Sequence, residues 1–199
     1  MMKNNNYSLG LAMVITSLIF ISSCVEKQKN KIKQLEENIT FLKEKNIPLK
    51  FKILEKSNDS ILLVVKFYNA DNAEINKIEQ KLHGEELSFD FYVVPVKDRY
   101  VAFPSKIFTD KIAANQGIIL YEYYNKDDYP AIFNSSEMKP ELYEGLKAVY
   151  LKVKSGQLDS LNEHFGNMVH DIKEFKSFLP ENVYSIVTHT KGGIEIIEE

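Results

Sequence analysis

The chain has 199 residues, of which 44% are hydrophobic and 27% are charged, with a formal net charge of −3. Its single cysteine, Cys24, excludes an internal disulfide, so a core has to be held by apolar side chains. Residues 26–56 hold nine Lys and five Glu, net +4, whereas residues 57–199 hold 15 Lys/Arg and 23 Asp/Glu, net −8, and so acidic a body argues against a nucleic-acid partner.

The first 23 residues have the three parts of a secretory signal. A short polar segment carries Lys3, residues 9–21 form a 13-residue apolar stretch, and two small residues follow. A helix of that length rises about 20 Å, which is short of the roughly 30 Å hydrocarbon core of a membrane. We therefore predict a cleaved export signal over residues 1–23 rather than a permanent membrane span.

The signal ends in the segment Ile21-Ser22-Ser23-Cys24. It resembles the lipobox of bacterial lipoprotein precursors, in which an aliphatic and two small residues precede an invariant cysteine. The resemblance implies cleavage before Cys24 and acylation there, and two or three acyl chains suffice for stable anchoring. By the same resemblance, Val25 in place of Asp favours the outer membrane, and the mostly basic run after it favours the periplasmic face. The Lys/Asn/Ile-rich composition is similar to that of Bacteroidetes lipoproteins.

Residues 26–46 contain neither Gly nor Pro, and their apolar side chains follow a heptad pattern: Ile32, Leu35, Ile39 and Leu42. Ile at a and Leu at d favour a two-stranded parallel coiled coil. Residues 24–47 are therefore interpreted as a lipid anchor and helical stalk, with a dimer formed through these four side chains. Since two heptads are short for a coiled coil, a single amphipathic helix lying on its own domain is the alternative.

Residues 48–199 are interpreted as one globular domain. Alternating apolar residues and turn signals predict strands over 49–54, 61–68, 87–96, 100–103 and 118–124. A helix is predicted over 71–84, because Asp71 can cap it and Glu74 completes a capping box. A further helix over 105–114 follows Pro104, which is expected to stop the preceding strand.

In the last third of the chain, a loop over 125–139 precedes a helix over 140–154 that begins at Pro140, with a strand over 147–154 as the alternative. A continuous apolar stripe predicts a longer helix over 157–179. Strands over 183–188 and 194–197 form a hairpin across Gly192-Gly193. The predicted fold class is α+β, a mixed or mostly antiparallel sheet with packed helices on an N-terminal stalk; the alternative is a β-sandwich.

The four histidines do not suggest a metal site: His83, His164, His170 and His189. His164 and His170 are six residues apart on the predicted helix, so their directions differ by about 120° and they cannot bind one ion together. No nucleophile, P-loop or dinucleotide-binding motif is present in the sequence. The sequence therefore predicts no catalytic residue, no metal site and no cofactor.

Residues 121–133 combine four tyrosines with acidic residues at the end of a strand. Such loops suit the binding of a sugar, a peptide or a cation, although tyrosines that merely cover the edge of the core are the alternative. The candidate ligand-binding residues are Tyr121, Tyr123, Tyr124, Asp127, Asp128 and Tyr129.

Together these features predict a membrane-anchored, non-catalytic lipoprotein that binds a ligand or protein of the cell envelope. Its expected partners are the membrane, through the lipid on Cys24, and an envelope protein or glycan. The alternatives are an envelope hydrolase with a dispersed carboxylate/Tyr site and a structural lipoprotein that dimerises through its stalk.

Overall fold

The computed structural model describes residues 26–39, 42–157, 161, 169–172 and 175–199. In these residues, helix α1 over 26–38 and helix α2 at Pro140–Lys154 accompany antiparallel strands. The strands are β1 Lys45–Lys56, β2 Ser60–Tyr68, β3 Glu74–His83, β4 Leu87–Val96, β5 Arg99–Thr109, β6 Ile118–Ile119, β7 Asn125–Lys126, β8 Tyr129–Pro130, β9 Val169–Ile172, β10 Val183–His189 and β11 Ile194–Glu198. Among the described residues, no helix is both long and apolar enough to cross a membrane.

The first sheet has five strands in the order β11-β10-β1-β2-β3, and each neighbouring pair is antiparallel. The alternation in β1 accounts for its central place, because Leu49, Phe51 and Ile53 are buried on one face while Lys50 and Lys52 lie on the other. The inward residues of β2 continue the apolar face: Leu63, Val65 and Phe67. The sheet therefore has an apolar inner face and an outer face that carries lysines.

The second sheet, in the order β6-β5-β4-β9, lies over this inner face. The ring of Phe51 in β1 lies 4.9 Å from the ring of Phe89 in β4, between centroids, and 5.2 Å from Tyr184 in β10. The buried apolar residues form a single cluster whose described members run from Ile32 to Ile194. Removal of residues 1–24 would therefore leave every described core residue in the chain.

The prediction of a helix over 140–154 is confirmed by α2, and the alternative strand over 147–154 is wrong. Pro140 stands in the first turn, where its missing N–H has no helical partner to lose. Lys152 and Lys154 in the last turn oppose the negative end of the helix dipole. The buried face of α2 includes Leu146 and Val149, which join the main core.

Helix α1 lies against the body of the protein, so the predicted stalk is wrong. The four heptad side chains, in α1 and the turn after it, expose at most 9% of their surface: Ile32, Leu35, Ile39 and Leu42. The approach to α2 is close, because a Cβ atom at Gly145 would lie 2.4 Å from the Cβ of Leu35. Lys31 of α1 also forms an ion pair with Glu144 of α2. A dimer through the heptad side chains would first require α1 to leave the core.

Residues 71–84, predicted as a helix, instead contain strand β3. Asp71 lies in the turn before β3, where the Asn69 side-chain oxygen accepts two backbone N–H groups at 2.8 and 3.1 Å. Ile78 and Leu82 are buried, and their four-residue spacing fits one face of a strand as well as one face of a helix. Pairing with β2 along the whole strand selects the extended form.

Two other predicted helices are strands where the structure describes them. Strand β5 continues through Pro104 to Thr109, and its register with β4 shifts at this proline, an irregularity that tolerates the missing N–H. Of the predicted helix over 157–179, residues 158–160, 162–168 and 173–174 lie outside the described residues. The segment Val169–Ile172 is strand β9, paired with β4, so one helix over 157–179 is wrong.

The predicted α+β class, with packed helices on a stalk, is therefore wrong, since the described chain is mostly antiparallel sheet. The C-terminal hairpin is confirmed: β10 pairs with β11, and Gly192 and Gly193 turn the chain at φ values of 109° and 100°. Only glycine adopts such angles without strain, which is why this turn was readable from the sequence.

We expect Leu35→Ala to lower the free energy of unfolding by about 2–5 kcal/mol, because a fully buried leucine leaves a cavity between α1 and α2. Chemical denaturation of the chain from residue 25 measures this change. The exposed Lys33 of the same helix is the control, and Lys33→Ala should shift the value by less than about 0.5 kcal/mol. Equal effects of the two substitutions would contradict the docking of α1.

Candidate functional site

The tyrosine-rich segment over 121–133 folds as short turns around the β7–β8 hairpin, so the strand predicted over 118–124 is limited to Ile118–Ile119. The structure places its six candidate residues in three environments. Tyr124 and Tyr129 are buried, Tyr121 and Tyr123 are half-buried, and the two aspartates are exposed. Asp127 and Asp128 form the hairpin turn with φ values of 52° and 61°, a region that aspartate tolerates better than most residues.

The rings of Tyr123, Tyr124 and Tyr129 contact other aromatic rings, and two of the hydroxyls have partners within the protein. The Tyr124 hydroxyl donates to the Pro104 carbonyl oxygen at 2.7 Å, and burial raises the pKa of this tyrosine well above its ordinary value. The Tyr129 ring stacks on Tyr143 of α2 with centroids 4.1 Å apart. Tyr123 stacks on the core ring of Phe67 at 6.0 Å. These rings therefore close the edge of the core between β5 and α2.

The two aspartate residues contact lysines of α2. Asp128 lies 3.4 Å from the ammonium of Lys154, and the backbone oxygen of Asp127 accepts from Lys147 at 2.7 Å. The structure thus brings the six predicted residues near one another without directing their polar groups at a shared space. Their role in binding stays a prediction.

The histidines are likewise separate. His83 lies 3.0 Å from Asp59, and His189 lies 3.3 Å from Glu195 on the C-terminal hairpin. The backbone of His170 belongs to strand β9 rather than to a helix, and His164 lies outside the described residues. In the described part of the chain, no group of three or more His, Cys, Asp or Glu side chains is arranged to hold a metal ion.

A different site lies on the outer face of the five-stranded sheet, where a groove of about 400 Å³ crosses β1, β2 and β3. Its volume falls within the range of small-molecule sites. Residues of alternating strand positions line it: Lys50, Lys52, Leu54, Val64, Lys66, Tyr68, Lys77, Val183 and Glu199, with Phe51 beneath them. Among the described residues, four lysines and one glutamate therefore line this groove.

Three of these lysines stand side by side across the sheet. Lys50 of β1 is paired in register with Lys66 of β2, and Lys66 is paired in register with Lys77 of β3. Neighbouring strands lie about 4.8 Å apart, so the row spans about 10 Å at the backbone. Like charges directly opposite each other destabilise a sheet, which makes this lysine row costly for folding alone.

Carboxylates from outside the row partly neutralise it. Lys66 lies 2.7 Å from Glu74, whose carboxylate raises the pKa of the lysine, and Lys50 pairs with Glu199. Hydrogen bonds from Lys50 and Ser185 hold the pKa of Glu199 below its ordinary value. Among the described residues, no carboxylate pairs with Lys77. Exposed ion pairs add little stability, so an incoming anion can replace these carboxylates at small cost.

The sequence pattern does not reveal this site, because it predicts a helix at Lys77. It places Lys50 and Lys66 on strands, but no local signal indicates that a third strand brings another lysine beside them. The signal lay in residues 74–83, where Lys77, Glu79 and Lys81 alternate with other side chains at the two-residue period of a strand. The four-residue spacing of Ile78 and Leu82 concealed it.

We expect Tyr124→Phe to lower the free energy of unfolding by about 1–3 kcal/mol, because the buried Pro104 carbonyl loses its hydroxyl donor. Tyr123→Phe is the matched control, since no partner of its hydroxyl exists among the described residues, and its effect should stay under about 0.5 kcal/mol. Urea denaturation of both variants measures the difference. An unchanged midpoint for Tyr124→Phe would contradict the structural role of this hydroxyl.

Comparison of the chain with protein-family models, with curated proteins and with solved structures found no match. The residues and geometry of the chain itself therefore have to indicate its function. The strongest functional indication in the described part of the chain is the lysine row on the outer face of the first sheet.

Proposed function

We propose that this chain is a membrane-anchored lipoprotein of the cell envelope that binds an anionic ligand without transforming it. The lipobox at residues 21–24 supports the anchor, and the groove over β1, β2 and β3 supports the ligand site. The anchor is expected on the periplasmic face of the outer membrane. The soluble body would then present the groove to molecules of the surrounding compartment.

The lysine row is the observation that carries the ligand assignment. A protein gains no stability from placing Lys50, Lys66 and Lys77 next to one another, because each ammonium repels its neighbour. An anion bound across the row removes that repulsion and gains an attraction to every ammonium within reach. Anion binding therefore best explains why the three lysines lie side by side despite the cost in stability.

The chemistry of the lining favours binding over hydrolysis. The titratable side chains that line the groove are four lysines, Tyr68 and Glu199. Glu199 is held as a charged carboxylate by Lys50, which makes it a poor proton donor near neutral pH. The half-buried lysines of the groove have ionic or aromatic neighbours. Lys50, for example, pairs with Glu199 and lies 5.8 Å from the centroid of the Tyr68 ring.

The anchor is tested by radiolabelled palmitate in a bacterial host that expresses the full chain. We expect the chain to incorporate label and to sediment with membranes, and Cys24→Ala to abolish labelling because the acylated thiol is gone. Ser23→Ala keeps a small residue before the cysteine and should retain the label. Label on the Cys24→Ala variant would refute acylation at this residue.

Anion binding is tested by calorimetric titration of the chain from residue 25 with inorganic pyrophosphate, a compact polyanion. We expect Lys66→Gln and Lys77→Gln each to weaken binding about fivefold, since each removes one charge from the row. Lys81→Gln is the control, because Lys81 lies on the same strand, faces the same side and stands outside the groove lining. Added salt should weaken binding as well.

Equal affinities for the Lys77→Gln and Lys81→Gln variants would refute the groove as the anion site. Far-UV circular dichroism of each variant confirms that the sheet is intact, and exposed substitutions of this kind are expected to leave stability within about 0.5 kcal/mol.

A further inference from the structure

The outer face of the first sheet changes character along the strands, and this change defines the kind of anion that fits. The lysine row stands at one end. In the next row along the strands, Lys52 of β1 stands between Val64 of β2 and Val183 of β10. Val64 is 91% buried although it points away from the main core. Glu79 of β3 is paired with Val64 at the end of this row, and the ammonium of Lys52 lies 2.6 Å from Glu181. Within the groove lining, the two valines therefore place apolar surface beside the charged row.

The apolar surface continues in the same direction. Leu54 stands at a bulge of β1, where the register with β2 shifts between Ile53 and Glu55, and it lines the same groove. Leu54 is four residues from Lys50, which places it about 13 Å along the strand. Leu62 of β2 is half-buried beside this bulge. The groove therefore runs from ammonium groups to aliphatic side chains within about 13 Å.

Lys50 already has an occupant at the charged end, since it binds the carboxylate of Glu199. Lys66 pairs with the carboxylate of Glu74, and Glu79 follows Lys77 on the same face of β3 without lining the groove. A ligand headgroup at Lys66 and Lys77 therefore displaces one carboxylate among the described ion pairs, that of Glu74. Glu199 shows that a carboxylate fits at this row, and its charge also repels a second anion.

We propose that the groove binds a single-chain anionic amphiphile, an aliphatic chain that ends in one carboxylate or phosphate group. The headgroup lies on Lys66 and Lys77, and the chain covers Val64, Val183 and Leu54. This inference rests on the proposed function, because it names the class of anion that the lysine row takes. Charge complementarity positions the headgroup on the lysines. Removal of apolar surface from water, on the aliphatic chain and on the groove alike, stabilises binding of the tail.

The test titrates the chain from residue 25 with acetate, hexanoate, octanoate and decanoate below their micelle concentrations, followed by calorimetry. Affinity should rise about two- to fourfold for each added methylene that the groove covers. Neutral 1-octanol should bind at least tenfold more weakly than octanoate, because it has no charge for the lysine row. Glu199→Gln should strengthen octanoate binding by removing the competing carboxylate.

Two variants separate head from tail. Lys66→Gln should weaken the binding of every carboxylate by a similar factor, whereas Leu54→Ser should reduce the dependence of affinity on chain length. Ile119→Ser, an exposed aliphatic substitution in the second sheet, is the control for Leu54→Ser.

Each contrary result is informative. Lysine-dependent binding of pyrophosphate without any dependence on chain length would overturn the amphiphile and leave the proposed function standing. Loss of both kinds of binding would overturn the function as well. Chain-length dependence that survives Lys66→Gln and Lys77→Gln would overturn the placement of the headgroup. Binding to phosphatidylglycerol vesicles with no binding of monomeric octanoate would show a membrane-docking face instead.

Discussion

Strand β1 packs with its apolar side chains against the core and its lysines towards the outer face, and the other features depend on this constraint. Its inward side chains, with Phe51 at the centre, contact Phe89 of the second sheet and Tyr184 of the neighbouring strand. Because successive side chains of a strand point to opposite faces, the same contact fixes Lys50 and Lys52 on the outside. A one-residue slip would bury two ammonium groups and expose three large apolar side chains, so the register is strongly specified.

The register of β1 determines which side chains lie on the outer face of the sheet. Once β1 is fixed, antiparallel pairing places Lys66 beside Lys50 and Lys77 beside Lys66. The resulting repulsion is tolerated because the three side chains reach solvent and two of them find carboxylates at the ends of other elements. The sheet's stability comes from its inner face, which leaves the outer face free to carry charges that a ligand can use.

Helix α1 follows Cys24 closely in the chain and packs on the core, which bears on the proposed lipid anchor. A residue without a side chain, Gly145, lets α1 approach α2 closely enough to bury Leu35 completely. Glycine within a helix costs stability relative to alanine, and the close contact offsets that cost. The segment that follows Cys24 in the chain is therefore part of the folded body within a few residues, and a lipid at that cysteine would hold the body near the membrane surface.

Much of the local structure was readable from the sequence. Pro140 marked the start of α2, Gly192 and Gly193 marked the C-terminal hairpin, and the alternation of β1 marked a half-buried strand. In each case a residue with a restricted or unusual backbone, or a run of several alternating side chains, was compatible with only one local structure. The lipobox and the cysteine it ends in are equally local, so the expectation of a lipid anchor came from the sequence by itself.

Tertiary contacts selected the secondary structure wherever the local sequence was compatible with both a helix and a strand, or with two packing partners. Apolar side chains four residues apart satisfy a helix and a strand alike, and only pairing with β2 made residues 74–83 a strand. The heptad pattern of α1 fitted a partner helix in another chain as well as the chain's own core. The candidate site depends on the first of these choices, because a row of lysines exists only when three strands separated in sequence are brought into register.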